Sequence, residues 1–355
     1  MNQVRKHLTL GEPDSTGRGI RVAVLDTGLD LTHPDFDERV RVGDSRSLTI
    51  VDDLDDRDGH GTHVAGIIAG SGTISSGVYR GIAPEAELIV FKIANGGRGW
   101  DSDAISAIEA AIGAGARIIN YSHGMRPPES AGSPPWVWPT RRSLLETAFE
   151  EASNAGVLCV VAAGNEGPIS GTVTRPGGID CVLTVGAVDQ GGVVWSGSGR
   201  GPYRRCEALR AGRAESYAPA LHPGVESISK PDVVAPGVGV TAVRSRQVPP
   251  SSDAPPLPPY VEMTGTSQAT AVVSGLAALM LDLCARHAID LGTRPGKTLK
   301  QIIRHAARAL RIGDRNDFGG GALVWPVLVQ TLKDFATSDD FRRQVLHGPE
   351  LKLLD

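Results

Sequence analysis

The sequence predicts an α/β protein built on a mainly parallel central sheet that helices cover on both faces. Strand-like runs alternate with helical patterns, an order typical of βαβ units. The run Val157–Val161 is apolar throughout, which favours the interior of a sheet over its edge. The 44 glycines and 24 prolines make up about a fifth of the 355 residues, as expected where many tight loops surround a sheet.

The elements follow in chain order from hydrophobic periodicity. Strands are predicted at residues 20–25, 86–93, 117–122, 157–162 and 182–188, with helices at 63–69, 103–114 and 141–155. Further along, residues 267–283 predict a long buried helix, because nearly every position is small or apolar. Residues 298–310 predict an amphipathic helix with basic side chains on its wet face.

A single domain with surface insertions accounts for this order. We assign residues 1–15 to an N-terminal extension, 16–336 to the domain and 337–355 to a charged tail that is either a docked helix or a frayed end. The insertions, at about 126–140, 200–229 and 247–260, are rich in proline, glycine or arginine and are predicted as loops. Strand-like sequence resumes after each, so none is a domain linker.

Composition excludes several classes of function. The 36 basic and 40 acidic side chains give a net charge of −4, which argues against nucleic-acid binding. No apolar run reaches the roughly 18 residues of a membrane helix, and the N-terminus lacks the apolar core of a signal peptide. The four cysteines are few, and three lie in apolar stretches that favour reduced thiols. We therefore expect a cytoplasmic protein, unless a leader has been trimmed, with no membrane or nucleic-acid partner.

Three segments carry candidate catalytic residues. Asp26 follows the apolar run Val22–Leu25, and a carboxylate past the carboxyl end of a parallel strand lies where open α/β sheets form their sites. His60 stands between glycines in the run DGHGTHVAG, where partners can reach its imidazole from two sides. His60 and His63 also have a spacing seen in zinc sites, but HExxH and a nearby CxxC are absent, so His63 is expected to be a packed helix residue.

Ser267 is the third candidate. It lies in the run TGTSQATAVVSG, at the predicted N-terminus of the long helix. Unpaired backbone N–H groups and the positive end of the helix dipole favour a developing oxyanion there. An isolated serine at this position would be read as a helix N-cap.

In their extended contexts, Asp26, His60 and Ser267 resemble the subtilisin-like serine peptidases, and the resemblance covers roughly residues 16–328. It extends to the runs GIAP at 81–84, VAAGNEG at 161–167 and KPDVVAPG at 230–237. It implies a three-layer α/β/α fold and a catalytic triad of Asp26, His60 and Ser267. Asn165 is implied as an oxyanion-hole donor.

The resemblance also implies how substrate binds. An extended peptide would add as a strand beside two segments, Gly97-Arg98-Gly99 and Ser122-His123-Gly124. Thr174 stands where relatives often have glycine at the base of the first specificity pocket, which implies a shallow pocket and a small residue before the cut. Five aspartates precede His60 in the sequence: Asp52, Asp53, Asp55, Asp56 and Asp58. Two interpretations of them stay open, a solvated acidic loop or a surface that attracts basic substrates.

The chain departs from the family at three further points. Gln268 replaces the usual methionine after the nucleophile, which predicts tolerance to peroxide. Ala271 replaces a proline and restores an N–H that can bond to the Ser267 carbonyl, a change that either is neutral or shifts the balance between hydrolysis and ligation. Asp35 matches one ligand of a structural calcium, but the loop at 72–77 lacks the expected asparagine, so that site is at best incomplete. No cofactor is predicted, and a structural calcium with Asp35 as one ligand stays open as the alternative.

The predicted function is that of a serine endopeptidase that hydrolyses extended or unfolded polypeptides through an acyl-enzyme on Ser267. Two alternatives stay open: a peptide ligase or cyclase on the same scaffold, and a pseudoprotease that only binds peptides. The expected partners are a peptide or protein substrate and a regulatory protein that restrains the activity.

Overall fold

The computed structural model describes residues 2–10, 15–36, 40–126, 136–139, 142–206, 225–249 and 257–347. Its helices are α1 (Asn2–His7), α2 (His60–Ala69), α3 (Asp101–Gly113), α4 (Leu144–Asn154), α5 (Thr266–Arg286), α6 (Pro295–Ala306), α7 (Arg315–Phe318), α8 (Trp325–Thr337) and α9 (Asp339–His347).

The strands of the central sheet are β1 (Arg21–Asp26), β2 (Arg46–Ser47), β3 (Glu87–Lys92), β6 (Ile118–Tyr121), β8 (Leu158–Ala162), β9 (Leu183–Val188) and β12 (Val233–Pro236). Smaller sheets contain β4 (Ala94–Asn95) with β5 (Arg98–Gly99), β7 (Val137–Pro139) with β10 (Tyr203–Cys206) and β11 (Val225–Ile228), and β13 (Val240–Val243) with β14 (Tyr260–Met263).

The central sheet has seven strands in the order β12-β9-β8-β6-β1-β3-β2, and every pairing in it is parallel. The five strands predicted from apolar runs are its interior strands. Periodicity does not predict the two edge strands, because β2 has only two residues and β12 only four, the last of them a proline. Long loops and helices connect the strands, as parallel pairing requires.

Two hydrophobic cores lie on opposite faces of this sheet, so the fold has three layers. Val22 and Val24 of β1 belong to the core under α2, α5, α6 and α8, whereas Ala23 and Leu25 belong to the core under α3 and α4. The alternation follows from the two-residue period of a strand. Both faces are covered, which explains why the residues of the interior strands are mostly apolar on both sides of the sheet. The predicted three-layer α/β/α class is confirmed.

The predicted loops at 126–140 and 200–229 are wrong where the structure describes them. Residues 137–139 and 203–206 form β7 and β10, and residues 225–228 form β11, so the two insertions pair in one small sheet. Trp136 and Trp138 are buried there beside Tyr203, and the rings of Trp138 and Tyr203 stack at 5.9 Å. Burial of these aromatic rings against one another is favourable, and it stabilises the pairing of the two segments. Residues 127–135 and 140 of the first insertion, 207–224 of the second and 250–256 of the third lie outside the described residues.

Both ends of the described chain pack onto the domain. Val4, Leu8 and Leu10, around α1, belong to the same core as Phe335 of α8 and Val345 of α9. Residues 339–347 of the predicted tail therefore form a docked helix, whereas 348–355 lie outside the described residues. The assigned domain boundaries stay a prediction.

One helix in the described part of the chain, α5, is long and apolar enough to cross a membrane, and 94% of the qualifying window is buried inside the structure. It is the central helix of the larger core, in contact with β6, β8, β9 and β12. Cys159, Cys181 and Cys284 are free thiols, as their apolar surroundings predicted.

Candidate active site

Asp26 is the last residue of β1, and burial of the strand places its carboxylate at the carboxyl edge of the sheet. The side chain is fully buried. Its Oδ1 accepts a hydrogen bond from the Thr27 N–H at 2.8 Å. Its Oδ2 is buried and has no hydrogen-bond partner in the described part of the chain.

His60 is the first residue of α2, and a buried carboxylate sets the start of that helix. Asp56 accepts hydrogen bonds from the N–H groups of Gly59 and Thr62, at 2.8 and 2.7 Å, and from the hydroxyl of Thr27 at 2.8 Å. It thereby satisfies donors that a helix N-terminus leaves unpaired. The close approach of α2 to the end of β1 requires glycine at position 61, because a Cβ there would lie 2.3 Å from the carbonyl oxygen of Gly28.

That approach brings His60 and Asp26 together. His60 Nδ1 lies 2.7 Å from Asp26 Oδ1, and about a quarter of the imidazole is exposed. Burial alone would lower the pKa of His60, but the Asp26 carboxylate outweighs it and raises that pKa. Burial would likewise raise the pKa of Asp26, and the imidazoles of His60 and His123 outweigh it and lower that pKa well below its usual range. The carboxylate therefore stays ionised and fixes the imidazole with Nδ1 as donor.

Ser267 is the second residue of α5 and is buried, 6% exposed. Its hydroxyl donates to the Ser122 carbonyl oxygen at 3.1 Å, and the Ser122 hydroxyl donates to the Ser267 carbonyl oxygen at 3.3 Å. In this structure the Ser267 hydroxyl therefore donates to Ser122, and it must leave that acceptor before it can donate to His60. Loose nucleophile contacts of this kind are common in sites without substrate.

Asn165, in the loop after β8, faces the start of α5. Its Oδ1 accepts hydrogen bonds from the N–H and the hydroxyl of Thr266, at 3.0 and 2.9 Å. Because the carbonyl end of the amide is held in this way, the NH₂ end is left for another acceptor. The residue is exposed, so a bound substrate could reach it. Sequence reasoning did not identify Thr266 as the residue that orients this amide.

The two predicted substrate-binding segments lie at the same edge of the sheet. Ser122-His123-Gly124 follows β6 directly. Arg98 and Gly99 form β5, the outer strand of a hairpin with β4, and both are exposed together with Gly97. The hairpin therefore presents a strand edge to solvent, which is the feature that peptide addition requires.

Thr174 lies at the base of the space between two segments, the one at 122–124 and the one at 163–165. A Cβ built on Gly124 would lie 2.2 Å from Thr174 Oγ1, and one built on Gly164 would lie 2.6 Å from Thr174 Cγ2. The threonine is 2% exposed, and its hydroxyl donates to the Ala163 carbonyl oxygen at 3.3 Å. Its side chain therefore already fills the gap between the two glycines.

His63 is a packed helix residue, as predicted. Its Nε2 lies 3.0 and 3.1 Å from the carbonyl oxygens of Val240 and Val261, and burial lowers its pKa to about 3. Its Nδ1 lies 3.5 Å from Nε2 of Gln268. Gln268 is thus held against α2, and α5 runs without interruption through Ala271.

Three of the five aspartates before His60 form structural contacts that neither interpretation of the sequence predicts. Asp56 holds the start of α2. Asp53 pairs with Arg57 at 2.9 Å and with Lys92 at 3.3 Å, and Asp55 pairs with Arg57 at 3.0 Å. Three of the five carboxylates are therefore engaged, which weakens the argument for attraction of basic substrates.

Asp35 is also engaged by protein donors. The Tyr260 hydroxyl donates to its Oδ2 at 2.8 Å, and the Ile74 N–H donates to its Oδ1 at 3.3 Å. The loop at 72–77 closes through its own backbone hydrogen bonds. Both oxygens of the one calcium ligand that the resemblance implies therefore already have protein donors.

Comparison with known proteins agrees with this geometry. The model of the subtilase family (Peptidase S8) matches residues 17–322. Serine protease AprX from Bacillus subtilis (strain 168) is 33% identical over 335 residues, which cover 87% of this chain and 65% of AprX, so the chain spans less than two thirds of that relative. Subtilisin Savinase from Lederbergia lenta is 32% identical over 308 residues, covering 86% of this chain and 89% of Savinase.

Two solved structures are similar across nearly the whole chain. The protease domain of PatA matches with a TM-score of 0.67 and 26% identity, over 92% of this chain and all of that one. The prenylagaramide maturation protease PagA matches with a TM-score of 0.64 and 25% identity, over 94% of this chain and 99% of that one. From the family match and these relatives, the chain belongs to the subtilase family of serine peptidases.

Proposed function

We propose that this chain is a serine endopeptidase that cleaves extended polypeptides through an acyl-enzyme on Ser267. The observation that carries the proposal is the 2.7 Å contact between His60 Nδ1 and the buried Asp26 carboxylate, beside a serine in the first turn of α5. Family membership supports the same reaction class.

The reaction begins when Ser267 turns from Ser122 toward His60. Oγ attacks the substrate carbonyl carbon, and its proton passes to Nε2 of His60. Asp26 stabilises the imidazolium that forms. The proton then goes to the leaving amine as the C–N bond breaks, and water releases the acyl group by the same path in reverse order.

Negative charge on the substrate oxygen needs donors that are already in place. The Ser267 backbone N–H, at the unpaired start of α5, is one such donor, and the free NH₂ end of Asn165 is the other. In subtilisin, loss of the equivalent amide is known to cost about 10²–10³ in kcat, and we carry that range over to Asn165→Ala.

The proposed substrate is an extended segment with a small residue before the cut. The exposed strand edge at Arg98 and Gly99 and the segment at 122–124 would pair with the main chain of such a peptide, which favours unfolded polypeptide over a folded surface. The side chain of Thr174, between Gly124 and Gly164, supports a shallow pocket.

A ligase or cyclase on the same scaffold is the second candidate. The unbroken first turns of α5 through Ala271 favour it, because the added N–H can fix the position of Ser267. Product analysis with an added amine nucleophile separates the two functions. A ligase transfers most acyl groups to the amine, whereas a hydrolase releases the free acid.

The test of the proposed function is intact mass after reaction with a fluorophosphonate probe. Wild type should gain one adduct, mapped to Ser267, and Ser267→Ala and His60→Ala should gain none. Asn165→Ala should be labelled but should turn over peptides more slowly. A folded wild type that stays unlabelled would overturn the proposal and favour the pseudoprotease.

A further inference from the structure

A second imidazole stands beside the catalytic carboxylate. His123 follows β6, and its Nε2 lies 3.7 Å from Asp26 Oδ1, on the same carboxylate that His60 contacts. That distance is too long for a hydrogen bond, and His123 Nε2 is buried with no hydrogen-bond partner in the part of the chain that the structure describes. The oxygen Asp26 Oδ2 is unpartnered in the same way.

Unpaired buried polar atoms are costly, and here two of them belong to neighbouring side chains. One ligand atom each from Asp26, His60 and His123 can be chosen so that all lie within 4.8 Å of one another. Two imidazoles and one carboxylate are a donor set suited to zinc and similar ions. We propose that Asp26, His60 and His123 form an inhibitory binding site for a divalent transition-metal ion such as Zn²⁺.

The adjustment that such an ion requires is small. Ligands about 2.0–2.1 Å from a tetrahedral zinc lie about 3.3 Å from one another. If Oδ1 is the carboxylate ligand, its separation of 2.7 Å from His60 Nδ1 must grow by about 0.6 Å, and its separation of 3.7 Å from His123 Nε2 must shrink by about 0.4 Å. Both imidazoles are about a quarter exposed, which leaves an entry path for the ion.

A metal ion bound to Nδ1 of His60 would block catalysis, because it would change which ring nitrogen of His60 carries the proton. A neutral imidazole carries one ring proton, and that proton must sit on the nitrogen that holds no metal. With the Nδ1 lone pair on the ion, the proton moves to Nε2. Nε2 can then no longer accept the proton of Ser267, so the general base is lost. This effect on activity rests on the proposed function, whereas metal binding itself does not.

His63 does not take part, although its spacing from His60 attracted attention in the sequence. Its Nε2 lies against two backbone carbonyls, and its Nδ1 faces Gln268. The third ligand comes instead from a residue more than sixty positions along the chain, which the sequence marked only as part of a substrate-binding segment.

Binding is tested without reference to activity. Metal-free Ser267→Ala protein, which keeps all three ligands, is titrated with Co²⁺ and the visible d–d absorption is followed, with Zn²⁺ as the competitor. We expect one Co²⁺ per chain and displacement by Zn²⁺. His123→Leu and His123→Gln, added to this background, should each weaken binding by at least about tenfold, since loss even of an outer-shell partner costs 10–100-fold. His287→Leu, which removes an exposed histidine at the end of α5, is the matched control and should bind as the parent does.

Activity is tested in the same variants with Ser267 restored, each normalised to its own rate without metal. Zn²⁺ should inhibit wild type and His287→Leu, chelator should restore the rate, and the inhibition constant of both His123 variants should rise at least tenfold. Unchanged Co²⁺ binding in folded His123 variants would overturn the proposal. Binding that is lost in these variants while no form hydrolyses peptides would instead refute the proposed function and leave the metal site standing.

Discussion

Thr174→Gly is the sharpest test of how substrate specificity is built. The threonine side chain lies between Gly124 and Gly164, with its atoms 2.2 and 2.6 Å from where side chains on those glycines would begin. Removing it takes away three heavy atoms and opens the base of the proposed pocket. An aromatic side chain before the cut could then enter more deeply.

The size of the effect follows from the atoms released. Burial of about two further methylene equivalents of substrate contributes about 1.6 kcal/mol at about 0.8 kcal/mol each. Single groups in apolar pockets change selectivity by about 1–3 kcal/mol. We therefore expect the ratio of kcat/KM for phenylalanine over alanine at this position to rise by about 10–100-fold. Thr174→Ser, which removes only the methyl group facing Gly164, should give a smaller rise.

The assay compares matched peptides that differ only in the residue before the cut. Thr174→Gly loses the hydrogen bond to Ala163 and adds backbone entropy, so unfolding should be easier by about 1–2.5 kcal/mol. Thr298→Gly, at a buried threonine of α6, controls for such destabilisation and should leave the ratio unchanged. If folded, probe-reactive Thr174→Gly keeps the wild-type ratio, the pocket is not based on Thr174.

Three further predictions concern pH, oxidation and metal. Catalysis needs neutral His60, and Asp26 raises the pKa of that imidazole, so activity should fall as pH drops through a value above the ordinary 6.5. In Asp26→Asn, the titration of His60 followed by NMR should move to lower pH. A titration that does not move would refute the coupling between the two residues. Gln268→Met should make the enzyme sensitive to peroxide, and equal loss of activity in wild type and variant would contradict the role given to Gln268. After dialysis against chelator, added Ca²⁺ should leave Tm unchanged, and a rise in Tm with Ca²⁺ would show an ion site. Tyr260→Phe should destabilise the fold by about 1–3 kcal/mol, because the buried Asp35 carboxylate loses one of its two donors.

Much of the fold could be predicted because its signals are local. The interior strands are mostly apolar, since both faces of the sheet are covered. The 3.6-residue period of the helices also appears directly in the sequence. The edge strand β2 has only two residues and shows no such pattern, and β12 is apolar but only four residues long. The strands β7 and β10 could not be predicted either, because two distant insertions order each other through the contact of Trp138 with Tyr203.

The candidate triad was also predictable from the sequence, because Asp26, His60 and Ser267 each stand in a distinctive motif in a known order. The sequence alone also determined the class of fold, the subtilase resemblance and the departures at Gln268 and Ala271. These properties depend on residue type and spacing along the chain.

Only the tertiary structure decided which donors meet which acceptors. In the fold, Tyr260 donates a hydrogen bond to Asp35, Thr266 donates one to Asn165, and His123 Nε2 lies 3.7 Å from Asp26 Oδ1. The physical reason is that parallel strands bring their carboxyl ends to one edge of the sheet, where residues far apart in the chain become neighbours. The spacing of residues along the chain does not predict such contacts, so only the fold indicates the proposed metal site at Asp26, His60 and His123.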